Sequence, residues 1–178
     1  MRGPGNFDKR GPAWYNQART REAKEMTEIR EIAEAREKRE IARQILEALP
    51  DWFAVEESRE AYIRDSGEMR MLAALEGDKP VGFLCLKETG KATVELAVMG
   101  VLQPYHRQGI GRRLAREAMA KAREAGYAFM QVKTVQMGRY PDYDDTNRFY
   151  LSLGFQEFEV FPTLWDEQNP CQVYVMAL

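Results

Sequence analysis

Histidine is nearly missing from this chain. Across 178 residues there is one, His106, so a zinc site of Cys/His type and a Ser-His-Asp triad are both excluded, no metal is expected, and acid–base chemistry falls to carboxylates, tyrosines or lysines. Cysteine is almost as scarce. Cys85 and Cys171, both in apolar segments, make no disulfide framework and fit a reduced, cytoplasmic protein. No apolar run reads as a spanning helix, and no stretch reads as a secretory signal. Charge of one sign is lacking too, since 26 Lys and Arg stand against 28 Asp and Glu. That leaves no global field to gather nucleic acid or to hold the chain on an anionic membrane, so neither is expected as a partner. Internal repeats and low-complexity tracts are also absent.

What is present suffices for one ordinary domain, with 44% apolar residues and 11% aromatics to fill a single core. Residues 1–25 differ from the rest: Gly3, Pro4, Gly5, Gly11 and Pro12 break any element, and the segment reads as an N-terminal extension, flexible or helical, ahead of a domain over 26–178. Thr27–Ala33 alternates like a strand, yet its Glu and Arg content suits a helix running on into 34–49 equally well. Glu34–Leu49 carries Ile41, Ile45, Leu46 and Leu49 on one stripe and is stopped by Pro50. A second helix is expected over Glu56–Asp65. Strands are expected over Met69–Leu75 and Pro80–Lys87, joined by a polar hairpin turn. Tyr127–Val135, nearly continuous in apolar residues, predicts a central strand buried on both faces. After a loop through 138–145 come a short helix, Thr146–Leu153, and two closing strands, Phe155–Phe161 and Cys171–Met176.

The informative stretch is Val94–Arg113, VELAVMGVLQPYHRQGIGRR. A β-branched strand ends near Gln103-Pro104, and Ile110, Leu114 and Ala118 then recur at helical spacing. The turn between them, His106-Arg107-Gln108-Gly109-Ile110-Gly111, has small residues where a backbone can approach a ligand. Its amides and the helix dipole favour an anion. It is a phosphate cradle in outline. A mononucleotide loop would need Gly-Lys-Ser/Thr where Gly111-Arg112-Arg113 stands, and a dinucleotide fingerprint would need a third small residue at Leu114.

The turn resembles the acyl-CoA pyrophosphate loop of the GNAT superfamily of N-acetyltransferases, Gln/Arg-x-x-Gly-x-Gly/Ala, with His106 departing at the first position. A second stretch, Asn147-Arg148-Phe149-Tyr150-Leu151-Ser152-Leu153-Gly154-Phe155, is similar to a shortened form of the family's Asn-containing Phe-Tyr helix. From residue 27 onward the expected order β-α-α-β-β-β-α-β-α-β-β matches as well, and the branch looks like bacterial acetyltransferases of unassigned acceptor. The resemblance implies an α/β fold: a mixed, mostly antiparallel sheet splayed between its fourth and fifth strands.

It implies further that acetyl-CoA is the co-substrate. His106, used mainly through its main chain, Arg107, Gln108, Gly109, Ile110, Gly111 and Arg112 would hold its phosphates. The backbones of Met99 and Val101 would pair with the pantetheine arm, an amide near Gly100, itself a bulge, would polarise the thioester, and Asn147 would bind the arm. Tyr150 would protonate the departing thiolate, a task its phenol suits because it stays protonated at neutral pH. Glu95 would be the general base, and strand alternation predicts that it shares a face with Ala97, Met99 and Val101. Trp52, with Phe53 and Tyr62, would line the acceptor cleft.

Independently of the resemblance, Tyr140, Tyr143 and Trp165 with nearby Asp142, Asp144, Asp145, Asp166 and Glu167 offer aromatic faces and negative charge to a cationic amine. The expected activity is therefore transfer of an acetyl group to a primary amine of a small molecule in a ternary complex, by a monomer or homodimer. A peptide or protein acceptor, and a CoA-binding sensor without catalysis, are the alternatives.

Overall fold

The computed structural model describes residues 27–178, so the extension expected over 1–25 lies outside the described residues. The chain runs β1 (Thr27–Ile32), α1 (Ala35–Glu47), α2 (Glu56–Ser66), β2 (Arg70–Glu76), β3 (Lys79–Gly90), β4 (Thr93–Val101), a 3-10 turn (Gln103–Tyr105), α3 (Ile110–Glu124), β5 (Phe129–Val135), α4 (Pro141–Leu153), β6 (Gln156–Phe161) and β7 (Cys171–Ala177). The open choice at the start resolves as a strand. Thr27 to Ile32 pair with Glu76 to Met71 of β2, so an available sheet edge outweighs the helical preference of Glu and Arg. Helix α1 buries Ile41, Ala42, Ile45 and Leu46, the stripe its spacing predicts. Helix α4 begins at Pro141 rather than Thr146, because Pro141 fits the first helical position and Asp142 and Asp144 favour the first turn. No helix among the described residues is long and apolar enough to cross a membrane.

All strands join one 7-stranded sheet in the order β1-β2-β3-β4-β5-β7-β6. Every neighbouring pair is antiparallel except β4 and β5, which run parallel. One face packs Leu84, Leu86, Val94 and Leu96 against Ile110, Leu114 and Ala118 of α3. The other packs Phe83, Cys85 and Val98 against Ile41, Ile45 and Leu46 of α1. The expected splay is present: β4 and β5 pair only from Thr93 with Phe129 to Leu96 with Val132, and from Ala97 to Val101 β4 has no neighbouring strand on that side among the described residues.

Three strand expectations need correction. In the register with β3, Leu86 faces Leu96 and Cys85 faces Val98, which leaves Ala97 as an extra residue. This bulge takes one position out of the alternation. Val94 and Leu96 consequently lie on the α3 face with Met99 and Val101, while Val98 lies on the α1 face. Glu95, one residue from both Val94 and Leu96, points to the α1–α2 face and does not share a face with Met99 and Val101. Gly100 is not the bulge. A Cβ there would stand 2.8 Å from Ile45 Cγ2 and 3.0 Å from Leu49 Cδ1, so the bare Cα is what lets α1 approach the sheet. Lastly, β5 is not buried on both faces throughout: Met130 and Val132 are in the core, whereas on the other face, which opens beside the splay, Gln131 and Lys133 are half-buried and Val135 is buried.

Candidate functional site

The open end of β4 leads directly into the turn. Leu102 N–H donates to Val81 O of β3 at 2.9 Å, so by alternation Gly100 and Leu102 face β3 with their backbone groups, and Met99 and Val101 face the gap. Val101 O does not stay free there. His106 swings its ring back and donates from Nε2 to that carbonyl at 2.6 Å, which fixes the proton on Nε2, while its own amide donates to Gln103 O at 3.0 Å. The main-chain role expected of His106 therefore has no free N–H behind it, and the imidazole instead braces the strand end.

Beyond His106 the backbone alternates in hand. Arg107 has φ 60° and Gly109 φ 81°, both in the left-handed region, and α3 starts at Ile110. The first bond back into this stretch is Arg113 N–H to Gly109 O. The amides from Arg107 to Arg112 donate to no described group. Such a run, formed by left-handed residues feeding a helix N-terminus, makes a concave set of donors with the positive end of the dipole behind it. Gly111 keeps the wall low: a Cβ there would meet Phe149 at 3.4 Å and Met99 at 3.6 Å. The side chains are busy elsewhere. Arg107 pairs with Asp145 at 2.8 Å, Gln108 donates to Pro104 O, Ile110 is core, and Arg112 binds Ser152 O and Oγ.

From α4, Tyr150 reaches into the core and is 5% exposed. Burial pushes its phenol well above the ordinary tyrosine range, and the phenols of Tyr62 and Tyr143 add to the shift. Its neighbours are aromatic rings, Phe149 at 5.6 Å and Phe155 at 5.9 Å, and no described group hydrogen-bonds its hydroxyl. Asn147 differs. Its side chain is fully buried; Nδ2 donates to Val135 O at 2.9 Å and Tyr143 O at 2.7 Å, and Oδ1 accepts from Tyr174 Oη at 2.7 Å. With every polar atom committed inward it has nothing to offer a ligand, and the binding expected of it gives way to pinning α4 onto β5 and β7.

Glu95 stands on the α1–α2 face beside the gap. Its Oε2 accepts from Gln131 Nε2 at 2.9 Å and Lys133 Nζ at 2.5 Å, its side chain is 12% exposed, and Oε1 bonds no described residue. Lys133 and Gln131 were missed from sequence, although a signal existed: they are long polar side chains, two residues apart and so on one face, that interrupt the apolar run of β5. Tyr62 of α2 feels the Glu95 charge and is itself pushed up, mainly by burial. Tyr62 also adds to the upward shift of the Tyr150 phenol, so charge on any one of the three is felt along the series Tyr150, Tyr62 and Glu95.

The aromatic residues converge at the α1–α2 junction. Trp52 sets its ring edge-on to His106 at 5.9 Å, donates from Nε1 to Thr146 Oγ1 at 3.3 Å, and accepts at its carbonyl from Tyr143 Oη at 2.8 Å. Tyr140 lies 6.0 Å from Tyr143, and Phe53 6.0 Å from Tyr62. Trp165, 44% exposed, stands apart on the β6–β7 loop. The acidic residues expected to draw a cation are mostly spent on local structure: Asp144 caps Gly138 N–H, Asp145 binds Arg107 and Arg148, and Asp166 caps Gln168 and Asn169.

Comparison with known proteins bears on the family and the fold. The model of the Acetyltransferase (GNAT) family matches residues 29–155. No curated protein matches the sequence significantly. Among solved structures, one assigned to the GNAT acetyltransferases from Desulfovibrio desulfuricans superposes with TM-score 0.75 at 18% identity, covering 85% of this chain and 98% of its own. A GNAT family acetyltransferase from Elizabethkingia anophelis with acetyl-CoA bound gives TM-score 0.63 at 16% identity, over 86% of this chain and 99% of its own. An aminoglycoside 6'-N-acetyltransferase complexed with coenzyme A gives 0.65 at 19%, over 84% and 96%. At these identities the likeness shows the fold.

Proposed function

This chain belongs to the acetyltransferase (GNAT) family, and we propose that it transfers the acetyl group of acetyl-CoA directly to a primary amine of a small molecule. The observation that carries the reading is the run of amides from Arg107 to Arg112 with no acceptor among the described residues, set at the open end of β4. Those donors fit a diphosphate, and the backbone of Met99 with the N–H of Val101 fits the amides of a pantetheine arm lying in the gap. Acetyl-CoA supplies the activated acetyl group, and the rest falls to side chains of this protein. Glu95 takes, at Oε1, the proton that the amine sheds as its nitrogen bonds the acyl carbon; Lys133 and Gln131 hold the opposite oxygen in place. Tyr150 gives its hydroxyl proton to the sulfur as the carbon–sulfur bond breaks. A buried phenol that stays protonated and has no hydrogen-bond partner among the described residues is suited to that donation. Trp52, Phe53, Tyr62, Tyr140 and Tyr143 line the acceptor side.

The test is Tyr150→Phe, which keeps ring and packing but removes the proton. Turnover with an accepted amine is expected to fall about tenfold or more, with acetyl-CoA affinity retained. Undiminished turnover would take Tyr150 out of the chemistry. Acetyl-CoA binding without transfer to any amine in a broad panel would replace the enzyme reading with that of a sensor.

A further inference from the structure

Lys133 is the first residue of β5 beyond the seam, since the paired stretch ends at Leu96 with Val132. Its Nζ donates to Glu95 Oε2 at 2.5 Å, and its side chain stays 31% exposed where that of Glu95 is 12% exposed. The other described lysines are placed differently. Lys38 donates to Met69 O, Lys121 pairs with Glu124, and Lys79, Lys87 and Lys91 are exposed. Gln131 Nε2 donates to the same Glu95 oxygen at 2.9 Å, so Glu95 stays held if Lys133 lets go. One primary amine of the protein itself therefore rests on the carboxylate that the acetyltransferase reading makes the base.

The two oxygens of one carboxylate lie closer together than the length of a hydrogen bond. An acceptor nitrogen on Glu95 Oε1 and the Lys133 nitrogen on Oε2 thus share one neighbourhood. Tyr150 packs with Leu114 and Ala118 on the α3 side of the sheet, whereas Glu95 and Lys133 meet on the α1–α2 side. A thioester lying in the gap between them has an amine on one side and a proton donor on the other. The four-carbon stem of lysine is flexible enough to swing its nitrogen from Oε2 toward the gap. What restrains it is the ion pair, which holds the amine as an ammonium and makes its attack slow beside that of an acceptor seated in the cleft.

Building on the acetyltransferase reading, we propose that the protein acetylates its own Lys133 when no acceptor occupies the cleft. Lys133 gives one proton to Glu95, and its nitrogen sheds a second to solvent as it bonds the acyl carbon of acetyl-CoA. The carbon–sulfur bond breaks, and Tyr150 supplies the proton with which coenzyme A leaves as a thiol; the proton on Glu95 then passes through solvent to restore the phenol. The uncharged acetylated side chain no longer neutralises Glu95. In the experiment the full chain is incubated with acetyl-CoA and no amine, at several protein concentrations. Peptide mass mapping follows acetyl incorporation at each lysine in the wild type, Glu95→Gln, Tyr150→Phe and Lys133→Arg, with melting temperatures checking the fold. Lys133 is expected to be labelled about tenfold or more faster than Lys79, Lys87 and Lys91, at a rate per chain that does not change with protein concentration. In Glu95→Gln and Tyr150→Phe its rate should fall toward that of those exposed lysines, and Lys133→Arg should lose the fast label. Labelling no faster than at the exposed lysines, or undiminished in both Glu95→Gln and Tyr150→Phe, would overturn the proposal. A panel of amines given to the same preparations tells the two failures apart: an amine acetylated with Lys133 unlabelled overturns self-acetylation and leaves the transferase reading standing, and neither one labelled removes both.

Discussion

Replacing Asn147 by Ala separates a pin from a ligand. In the folded protein the Asn147 amide ties three places together, Val135 O of β5, Tyr143 O of its own helix and the Tyr174 hydroxyl of β7. Tyr174 is fully buried, so after the substitution its hydroxyl has no water to turn to, and Val135 O loses its side-chain donor. Tyr143 O keeps the backbone N–H of the following helical turn. Two buried polar groups left without partners cost about 1–3 kcal/mol each, so the expected loss is about 2–6 kcal/mol. For a chain of 178 residues that is a fall in Tm of about 4–24 °C. Calorimetry or urea unfolding reads it, and Tyr174→Phe provides the partner for a double-mutant cycle: with the hydroxyl also gone, about 1–2 kcal/mol of the Asn147→Ala loss should be recovered. The KM for acetyl-CoA, measured well below the melting temperature, should barely move. A Tm unchanged within error together with a large rise in that KM would refute the argument and return Asn147 to the ligands.

Two further outcomes follow from packing and from titration. Gly100→Ala drives a methyl to within 2.8 Å of Ile45 Cγ2, and since α1 must shift to admit it, urea unfolding should show a loss of about 1–3 kcal/mol; an unchanged midpoint would mean that α1 is not seated on Gly100. At high pH, Tyr150, Tyr62 and Tyr143 all hold their protons more tightly folded than unfolded, so their contribution to stability is complete below the unfolded pKa of about 10 and is lost as pH rises beyond it. Melting between pH 8 and 11 should show that decline, less steeply in Tyr150→Phe, and identical slopes for the two proteins would contradict the burial of this phenol.

The strand–turn–helix unit was legible in sequence because its chemistry is local: Gly109 supplies a left-handed residue, and Ile110, Leu114 and Ala118 announce the buried side of α3. The splay was legible only through resemblance. The face assigned to Glu95 went astray because Ala97 carries no mark of a bulge, and one unmarked residue reverses everything downstream in an alternating strand. Asn147 shows a different limit. Its neighbours along the chain suggested a ligand, whereas its partners, Val135 and Tyr174, come from strands on either side of it in sequence and meet it only after folding. The start of α4 was readable in principle, since Pro141 followed by acidic residues is a helix-start signal, but Gly138 and Pro141 together read more simply as loop.

The short parallel seam between β4 and β5 leaves the sheet as two panels stitched at one corner, β1–β4 on one side and β5, β7 and β6 on the other. On the proposed reading, a pantetheine arm lying in the notch would supply the missing stitches between them, so the loaded molecule is expected to be the more cohesive one.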